Sequence, residues 1–529
     1  MEKSVLQELN NISSLKSRRK SSVLIFFCFL TGIISGIAVV SYTILLNKIS
    51  EWRESLLTDV SLGKIIFGLF LFMLIGVTVQ LMIFKYPLIG GSGIPQVNGL
   101  LQRKIEFNWF PELICKFFGG ILAIGAGMSL GREGPSIHLG ALIGEGINKL
   151  SKRPNVEQKY LVTCGASAGL AAAFNAPLAG TIFALEELHK FFSPLLLICV
   201  LVASGASNYV SRLILGSKTV FEHNFVLPDH TSPLFAVIIT GIFCIIITLA
   251  GKGFSFFLVY FQKKYKNIKL NKYLKISFFM ITAYTVCIFF KDITGGGHSL
   301  IEHMFHSGIP LKLLLVILIL KFFYTMLSYS TGFPGGIFLP MLVIGALIGK
   351  TYGLILVNYF SVSNEFIVHF MLLGMAAYFT AVVRAPITGI ILILEMTGNF
   401  SYLFLLIVTV TITYVLTEFL KLEPIYEILF ENMFTREKEI YSGSAEKAEN
   451  KIVTLLIHVG ADSEFENKKI KQLNLPKKLL VVGVRENRKE YIPDGETLIK
   501  SGNHLVIITD YNTAQKYAYK LKDKGIKIL

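Results

Sequence analysis

Gly131-Arg132-Glu133-Gly134-Pro135-Ser136-Ile137-His138 sets two charged side chains between glycines at the junction of two strongly apolar segments. Charge is normally excluded from such a place. An ionisable residue at membrane depth is costly, and where one occurs it marks an ion or proton pathway. Glu133 is the residue that the rest of the chain has to account for.

The surrounding chain of 529 residues is 53% hydrophobic and only 16% charged, with a mean hydropathy of +0.60. These values exclude an ordinary soluble enzyme and describe a polytopic membrane protein. The formal net charge of +16 is unevenly spread: Lys16, Arg18, Arg19 and Lys20 precede the first apolar run, and Lys and Arg recur densely after Arg436. The positive-inside rule then puts both termini on the cytoplasmic side. No nucleic-acid partner is expected, because the basic residues are not interleaved with aromatics on one face. The six cysteines all fall in or beside apolar segments without metal-ligand spacing, so they read as small buried hydrophobes. The run Val23 to Leu46 is longer than a signal-peptide core and has no small-residue cleavage site before its end, so it reads as a membrane helix that stays on the protein.

Further apolar runs cover Ile65 to Phe84, Phe110 to Met128, Pro194 to Leu215, Pro233 to Leu258, Tyr273 to Phe290, Leu311 to Leu327, Met341 to Leu356, Val368 to Val383 and Phe404 to Leu420. Between them lie shorter pieces broken by Gly and Pro, at Gly90 to Pro95, Gly127 to Pro135, Ala171 to Pro177, Gly295 to Gly297 and Thr331 to Pro340. Broken helices at membrane depth are tolerated only where the backbone is buried in protein or lines a cavity.

These pieces repeat. A shift of 205 residues puts Gly90-Gly91 on Gly295-Gly296, Lys116-Phe117-Phe118 on Lys321-Phe322-Phe323, and Gly131 and Pro135 on Gly336 and Pro340. It also puts Gly140-Ala141-Leu142-Ile143-Gly144 on Gly345-Ala346-Leu347-Ile348-Gly349. A shift of 209 puts Ala176-Pro177, Gly180 and Glu186 on Ala385-Pro386, Gly389 and Glu395. The fold class expected is an all-α polytopic membrane protein of two inverted repeats with broken helices, about 60–225 and 265–434 within a membrane domain of 22–434. Oppositely oriented halves place a binding site at their shared midplane, where discontinuous helices aim their termini at the substrate.

Residues 1–21 read as a cytoplasmic tail and 435–450 as a linker. After Phe434 the composition turns to Lys, Glu, Asn and Asp with short apolar alternations, which predicts a small cytoplasmic α/β domain over 451–529. Strands are expected at Lys451 to Val459, Leu479 to Val484 and His504 to Ile508, and a helix at Thr513 to Lys522.

The halves differ in two carboxylates. Glu186 has a counterpart in Glu395, which suggests a structural task common to both halves, such as anchoring helix ends. Glu133 falls on Phe338 and Glu187 on Met396, so these two look like function added to a symmetric scaffold. The glycines around Ser92, Glu133 and Ile337 let backbone amides approach a ligand, and amides at helix N-termini favour an anion. A small anion is thereby held without a full cationic charge, which would bind it too tightly for release.

Gly91-Ser92-Gly93-Ile94-Pro95, Gly131-Arg132-Glu133-Gly134-Pro135 and Gly336-Ile337-Phe338-Leu339-Pro340 resemble, in order and spacing, the three signature motifs of the CLC chloride channel and transporter family. Ala385-Pro386-Ile387-Thr388-Gly389 and Pro424-Ile425-Tyr426 extend the resemblance over roughly Val23 to Phe430. It implies that Ser92 and Tyr426 offer hydroxyls to chloride, with Gly134 and the amides of Ile337 and Phe338 alongside. Glu133 would be the external gating and proton-exchanging glutamate, and Glu187 the internal proton-transfer glutamate found in the exchangers. It further implies a proton/chloride antiporter in a prokaryotic plasma membrane, surrounded by lipid, assembled as a homodimer and needing no cofactor, metal or enzymatic chemistry. The alternative is a passive voltage- or pH-gated chloride channel. Fluoride and nitrate transport are disfavoured by Ser92, and potassium uptake by the lack of a Thr-Val-Gly-Tyr-Gly filter. Gln96 and Asn98 stand where proton-coupled relatives can carry acidic residues.

In the tail, Tyr491-Ile492-Pro493-Asp494-Gly495, Thr497-Leu498 and Gly502-Asn503-His504-Leu505-Val506 resemble the C-terminal domain of RCK (TrkA-C) regulators, with Asn503 where an aspartate is usual. That resemblance implies a small regulatory ligand, or a dimerisation module without one. His138 and His189 read as structural histidines rather than proton relays. Gly295-Gly296-Gly297-His298 lacks the Lys-Ser/Thr of a phosphate loop and is better explained as the repeat partner of the Ser92 loop.

Overall fold

The computed structural model describes residues 2–58, 61–190, 192–217, 219–221, 232–360, 362–441, 452–460, 463–473, 475–476, 478–486, 489–510 and 513. Two compact units divide the chain, Met1–Glu431 and Asn432–Leu529.

The first half contains α1 (Glu2–Thr58), α2 (Leu62–Lys85), α3 (Ile94–Leu101), α4 (Trp109–Gly125), α5 (Glu133–Leu150), α6 (Asn155–Phe174), α7 (Pro177–Phe183) and α8 (Pro194–Leu215). The second contains α9 (Pro233–Asn267), α10 (Lys272–Phe289), α11 (His298–His306), α12 (Leu311–Ser330), α13 (Phe338–Phe360), α14 (Glu365–Val383), α15 (Pro386–Thr397) and α16 (Leu403–Phe419). A last helix, α17 (Ile425–Tyr441), follows both.

Local chemistry sets these boundaries. Ser193 and Ser232 cap α8 and α9 by accepting from Leu196 N and Phe235 N at 3.2 and 3.3 Å, each followed by Pro at the first helical position. Such a serine satisfies an amide that has no partner within the helix, and proline there forfeits nothing. Asn175 and Arg384, both left-handed (φ +53° and +69°), end α6 and α14 and hand over to the proline starts of α7 and α15.

Nine of the described helices are long and apolar enough to cross a membrane: α1 from Ser21, α2, α8, α9, α10, α12, α13, α14 and, with the turn before it, α16. The hydropathy runs do not announce α6. Its first turns carry Asn155, Glu157, Gln158 and Lys159, and the rest is Ala-, Gly- and Ser-rich. It is buried by packing on α1, α5 and α8. Small residues permit this: a Cβ on Gly140 or Gly165 would strike the other's backbone, and Gly345 and Gly374 stand in the same relation between α13 and α14. Close backbone approach through small residues is how helices associate where no hydrophobic effect drives them.

Each helix of the first half has its counterpart eight places on. Thus α1 packs on α4, α5, α6 and α8, and α9 on α12, α13, α14 and α16. The repeats therefore start at α1 and α9, ahead of the expected starts near 60 and 265. A two-fold axis relates them. Gly131 and Gly336, repeat mates under the 205 shift, form an antiparallel bridge with each other, N to O 2.7 and 2.8 Å. A residue that pairs with its own mate lies on the axis. Off the axis the contacts come in exchanged pairs: Gly91 N donates to Gly332 O at 3.1 Å, and Gly295 N to Gly127 O at 3.4 Å.

One expected register is corrected. In the first loop the mates are Gly91 with Gly295 (φ +62° and +59°) and Gly93 with Gly297 (φ +94° and +95°), a shift of 204 rather than 205. Positive φ angles favour glycine, most strongly near +95°, and their match in pairs decides the alignment. Lys116 Nζ donates to Ile89 O and Gly91 O, both 2.8 Å, and Lys321 Nζ to Ile293 O and Gly295 O at 3.0 and 2.9 Å, in the same register. Each lysine is fully buried and ties one loop to the helix beside it.

The second unit carries one antiparallel sheet of β1 (Ile452–His458), β2 (Leu480–Glu486), β3 (Lys489–Tyr491) and β4 (His504–Asp510), in the order β1-β4-β2-β3. Ile457, Phe465, Val484, Ile499, Leu505 and Ile507 are among its core residues. β3 was not expected from the sequence. The expected helix Thr513 to Lys522 lies outside the described residues apart from Thr513.

Candidate functional site

Three helix N-termini converge beside the Gly131–Gly336 bridge. α5 opens at Glu133, α13 at Phe338, and α3 at Ile94 after the left-handed Gly93. Their proximity is close: a Cβ on Gly134 would lie 2.8 Å from Ser92 O, 3.0 Å from Ser92 Cβ and 3.2 Å from Gly336 Cα. Ser92 is buried, and its hydroxyl accepts from Ile94 N at 3.3 Å, which leaves its proton for another acceptor. Ile337 and Phe338 stand at the first turn of α13, where amides have no acceptor within the helix. Together these groups favour a small anion.

Tyr426 stands at the start of α17, outside both repeats. It is fully buried, its hydroxyl has no hydrogen-bond partner, and it lies within electrostatic range of Tyr329, Glu187 and Glu133. Tyr329, which the sequence reading did not single out, sets its hydroxyl against Gly91; a Cβ there would be 3.5 Å away.

Glu133 is fully buried, and neither carboxylate oxygen has a hydrogen-bond partner. The carboxylate folds back over Gly131, so that a Cβ on that residue would collide with Oε2. It faces the amides of Glu133 and Leu339 without hydrogen bonds of ordinary geometry, and Arg132 Nε stands 3.9 Å from Oε1. The charge thus sits at the mouth of two helix N-termini, where an anion would sit. With no hydrogen bond of ordinary geometry, the charge is held there by the helix N-termini and by Arg132, an attraction that vanishes when the carboxylate is protonated. The matching Phe338 is wholly apolar in its packing, with ring centroids 5.4, 5.8 and 4.8 Å from Phe174, Phe183 and Phe379.

Glu187 lies on a π-helical turn, Ala184–His189, which follows α7. Such turns re-aim side chains and are common at functional sites. It is buried, with Oε1 unpartnered, and lines a cleft of about 560 Å³ together with Glu186, Lys190, Arg384, Tyr414 and Glu418. Lys190 pairs with Glu427 and Arg384 with Glu418 at its walls.

Glu186 and Glu395 exchange roles across the axis. Glu186 accepts from Ile387 N and Thr388 N at 3.1 and 2.8 Å, and Glu395 from Leu178 N and Ala179 N at 3.1 and 2.7 Å. Each caps the short helix of the other half, which is the anchoring task that their pairing in the sequence suggested. Charged hydrogen bonds contribute roughly 1.5–3 kcal/mol each. Glu395→Ala is therefore expected to lower the melting temperature of the purified protein by several degrees without changing the ratio of ions carried. A changed ratio would give Glu395 a part in transport.

His138 is fully buried with neither ring nitrogen partnered. It packs on Phe107, with ring centroids 5.1 Å apart, and against Gly93 in the slot that Val343 fills beside Gly297. His189 Nδ1 lies 3.4 Å from Thr163 Oγ1. Gln96 donates to Gly90 O at 2.8 Å, while Gln96 Oε1 and Asn98 Oδ1 have no partner on the buried α3. Among the described residues no group of His, Cys, Asp and Glu is placed to hold a metal ion. In the second unit, Asn503 Oδ1 accepts from Lys500 N at 2.9 Å, closing a turn that an aspartate would close equally well.

Comparison with known proteins sharpens this. The family profile described as voltage gated chloride channel matches residues 75–418, and that of the TrkA-C domain matches 455–520. The chain is 33% identical over 441 residues to the H(+)/Cl(-) exchange transporter ClcA of Vibrio cholerae serotype O1 (strain M66-2), covering 80% of this chain and 92% of the relative. The ClcA of Cronobacter sakazakii is 32% identical over 439 residues, covering 81% and 93%. Among solved structures, a slow cyanobacterial Cl-/H+ antiporter superposes with a TM-score of 0.73 at 28% identity, covering 78% of this chain and 99% of the other. A eukaryotic CLC transporter shares the fold, with a TM-score of 0.64 at 20% identity over 77% of this chain and 73% of the other.

Proposed function

The chain belongs to the voltage-gated chloride channel family, and on that premise we propose that it is a secondary active antiporter exchanging chloride for protons. The observation that carries this is the unpartnered Glu133 carboxylate at the mouth of α5 and α13. When ionised it occupies an anion position; when protonated it loses its attraction to the helix N-termini and leaves the place to chloride. Competition of carboxylate and chloride for one site links the two ions thermodynamically. Ser92 and Tyr426 donate hydroxyls to the chloride held between them, and Gly134 and the amides of Ile337 and Phe338 complete its shell. Glu187 carries the proton between this centre and the cleft beneath it.

Two copies associate in a cell membrane, with the termini in the cytoplasm, and the TrkA-C unit takes a small regulatory ligand. The second reading is a passive chloride channel. Gln96 and Asn98 favour it, because they place neutral amides on the buried α3, which packs on the turn that carries Glu187. Reconstituted protein decides between them. An imposed chloride gradient should drive protons uphill into or out of liposomes, whereas chloride flux with no proton movement would leave the channel.

A further inference from the structure

The loop that mirrors the Ser92 loop places a titratable side chain, His298, where the first half has Ile94. His298 opens α11 directly after the left-handed Gly297. Its ring stacks on Phe221, with centroids 5.5 Å apart and planes at 28°, and Nε2 stands 3.5 Å from Glu302 Oε1 one turn along the helix. This loop abuts the Glu133 stretch: a Cβ on Gly296 would lie 3.5 Å from Gly131 Cα and 3.6 Å from Leu130 O. Arg132, the next residue, is within electrostatic range of His298. Its Nε has no hydrogen-bond partner, and one terminal nitrogen reaches Ala173 O at 3.5 Å. Side-chain exposure falls from 53% at Glu302 through 39% at His298 and 22% at Arg132 to 1% at Glu133. The four charged or titratable groups therefore mark a graded route from solvent to the buried carboxylate.

We propose that His298 and Glu302 form a pH-tuned electrostatic collar at this mouth, which sets how strongly Arg132 draws a small anion toward the site. The idea rests on the chloride reading above. With His298 neutral, the Glu302 carboxylate offsets Arg132. With His298 protonated, the imidazolium cancels Glu302 and leaves the guanidinium opposed only by Glu133, 3.9 Å away. A positive cleft with low-dielectric walls raises the local anion concentration. The effect falls on the apparent affinity for chloride rather than on maximal flux, because neither residue belongs to the group around Ser92 and Tyr426.

The other charged groups near His298 are few among the described residues. From α12, Lys321 Nζ would be 3.2 Å from a Cβ on Gly297, and it is committed to the Ile293 and Gly295 carbonyls. Lys291 and Asp292, on the turn before the loop, are exposed. Where α13 meets the loop it presents Leu339 and Val343, which are uncharged.

The test uses full-length Glu133→Gln protein in liposomes, which removes the titrating carboxylate from the pathway. Burial and then the Arg132 guanidinium hold the His298 imidazole below its ordinary range, at about 4. Chloride KM and maximal flux are therefore measured with equal pH on both sides, stepped from about 7.5 to about 3.5. KM should fall about threefold on acidification while maximal flux holds. Adding His298→Phe, which keeps an aromatic ring on Phe221, should hold KM at its high value throughout. Adding Glu302→Gln should give the low KM already at pH 7.5. Chloride flux whose KM does not change with pH, or changes equally with and without His298→Phe, overturns the collar alone. Absence of chloride flux in the Glu133→Gln background overturns the exchange reading, and the collar with it.

Discussion

Glu133→Gln should uncouple the two ions. Gln keeps the size of Glu and cannot ionise, so it has no charge to hold it at the helix N-termini and no proton to exchange. Chloride flux should persist, and proton movement driven by a chloride gradient should fall at least about tenfold, a loss of roughly 1.4 kcal/mol or more of coupling. The pH profile follows with a definite sign. In the unaltered protein, acid protonates the carboxylate, frees the anion position and raises maximal flux; in the variant, maximal flux should not change with pH. Paired measurements of chloride and proton flux in liposomes check both points. A variant that still drives protons uphill would remove Glu133 from the exchange.

Glu187→Gln should act differently, because Glu187 does not lie beside the bridge. Its Oε1 is buried and unpartnered, and the residue lines the cleft and lies within electrostatic range of Tyr426. The substitution leaves the anion groups intact and breaks the proton route on the cleft side. Proton transport should drop about tenfold or more, while chloride flux continues and keeps its rise in acid, since Glu133 still titrates from its own side. The contrast between the two profiles is the useful part. Loss of pH-dependent chloride flux in Glu187→Gln would mean that both carboxylates report one proton site. Unchanged ion ratios in both variants would set aside both assignments.

Glu133 and Glu187 stand out from residues alone, because the two halves repeat and these carboxylates lack a mate in the other half. What escaped has physical reasons. The one-residue slip between Gly91 and Lys116 is invisible in a row of glycines, and only their φ angles place Gly91 on Gly295. The helix α6 is buried by close backbone contact rather than by apolar side chains, so hydropathy passes over it. That Glu186 and Glu395 repeat is plain in the sequence, but that each caps the other's half needs the fold. Tyr426 lies after both repeats, so no internal comparison reaches it, and only the family resemblance pointed to it. The β3 strand is three residues long, too short for an alternating pattern to register.

The bridge between Gly131 and Gly336 has a further consequence for direction. A point on a two-fold axis looks the same from either half, so the scaffold there cannot tell one compartment from the other. Vectorial character must then come from what breaks the symmetry: the side chains at 133 against 338 and at 187 against 396, His298 against Ile94, and α17 with Tyr426, which has no mate. A reversed device would keep the sixteen paired helices in place, exchange those side chains and move the unpaired α17 to the other face. Polarity in this protein is a matter of a few side chains and one unpaired helix laid on a frame that has none.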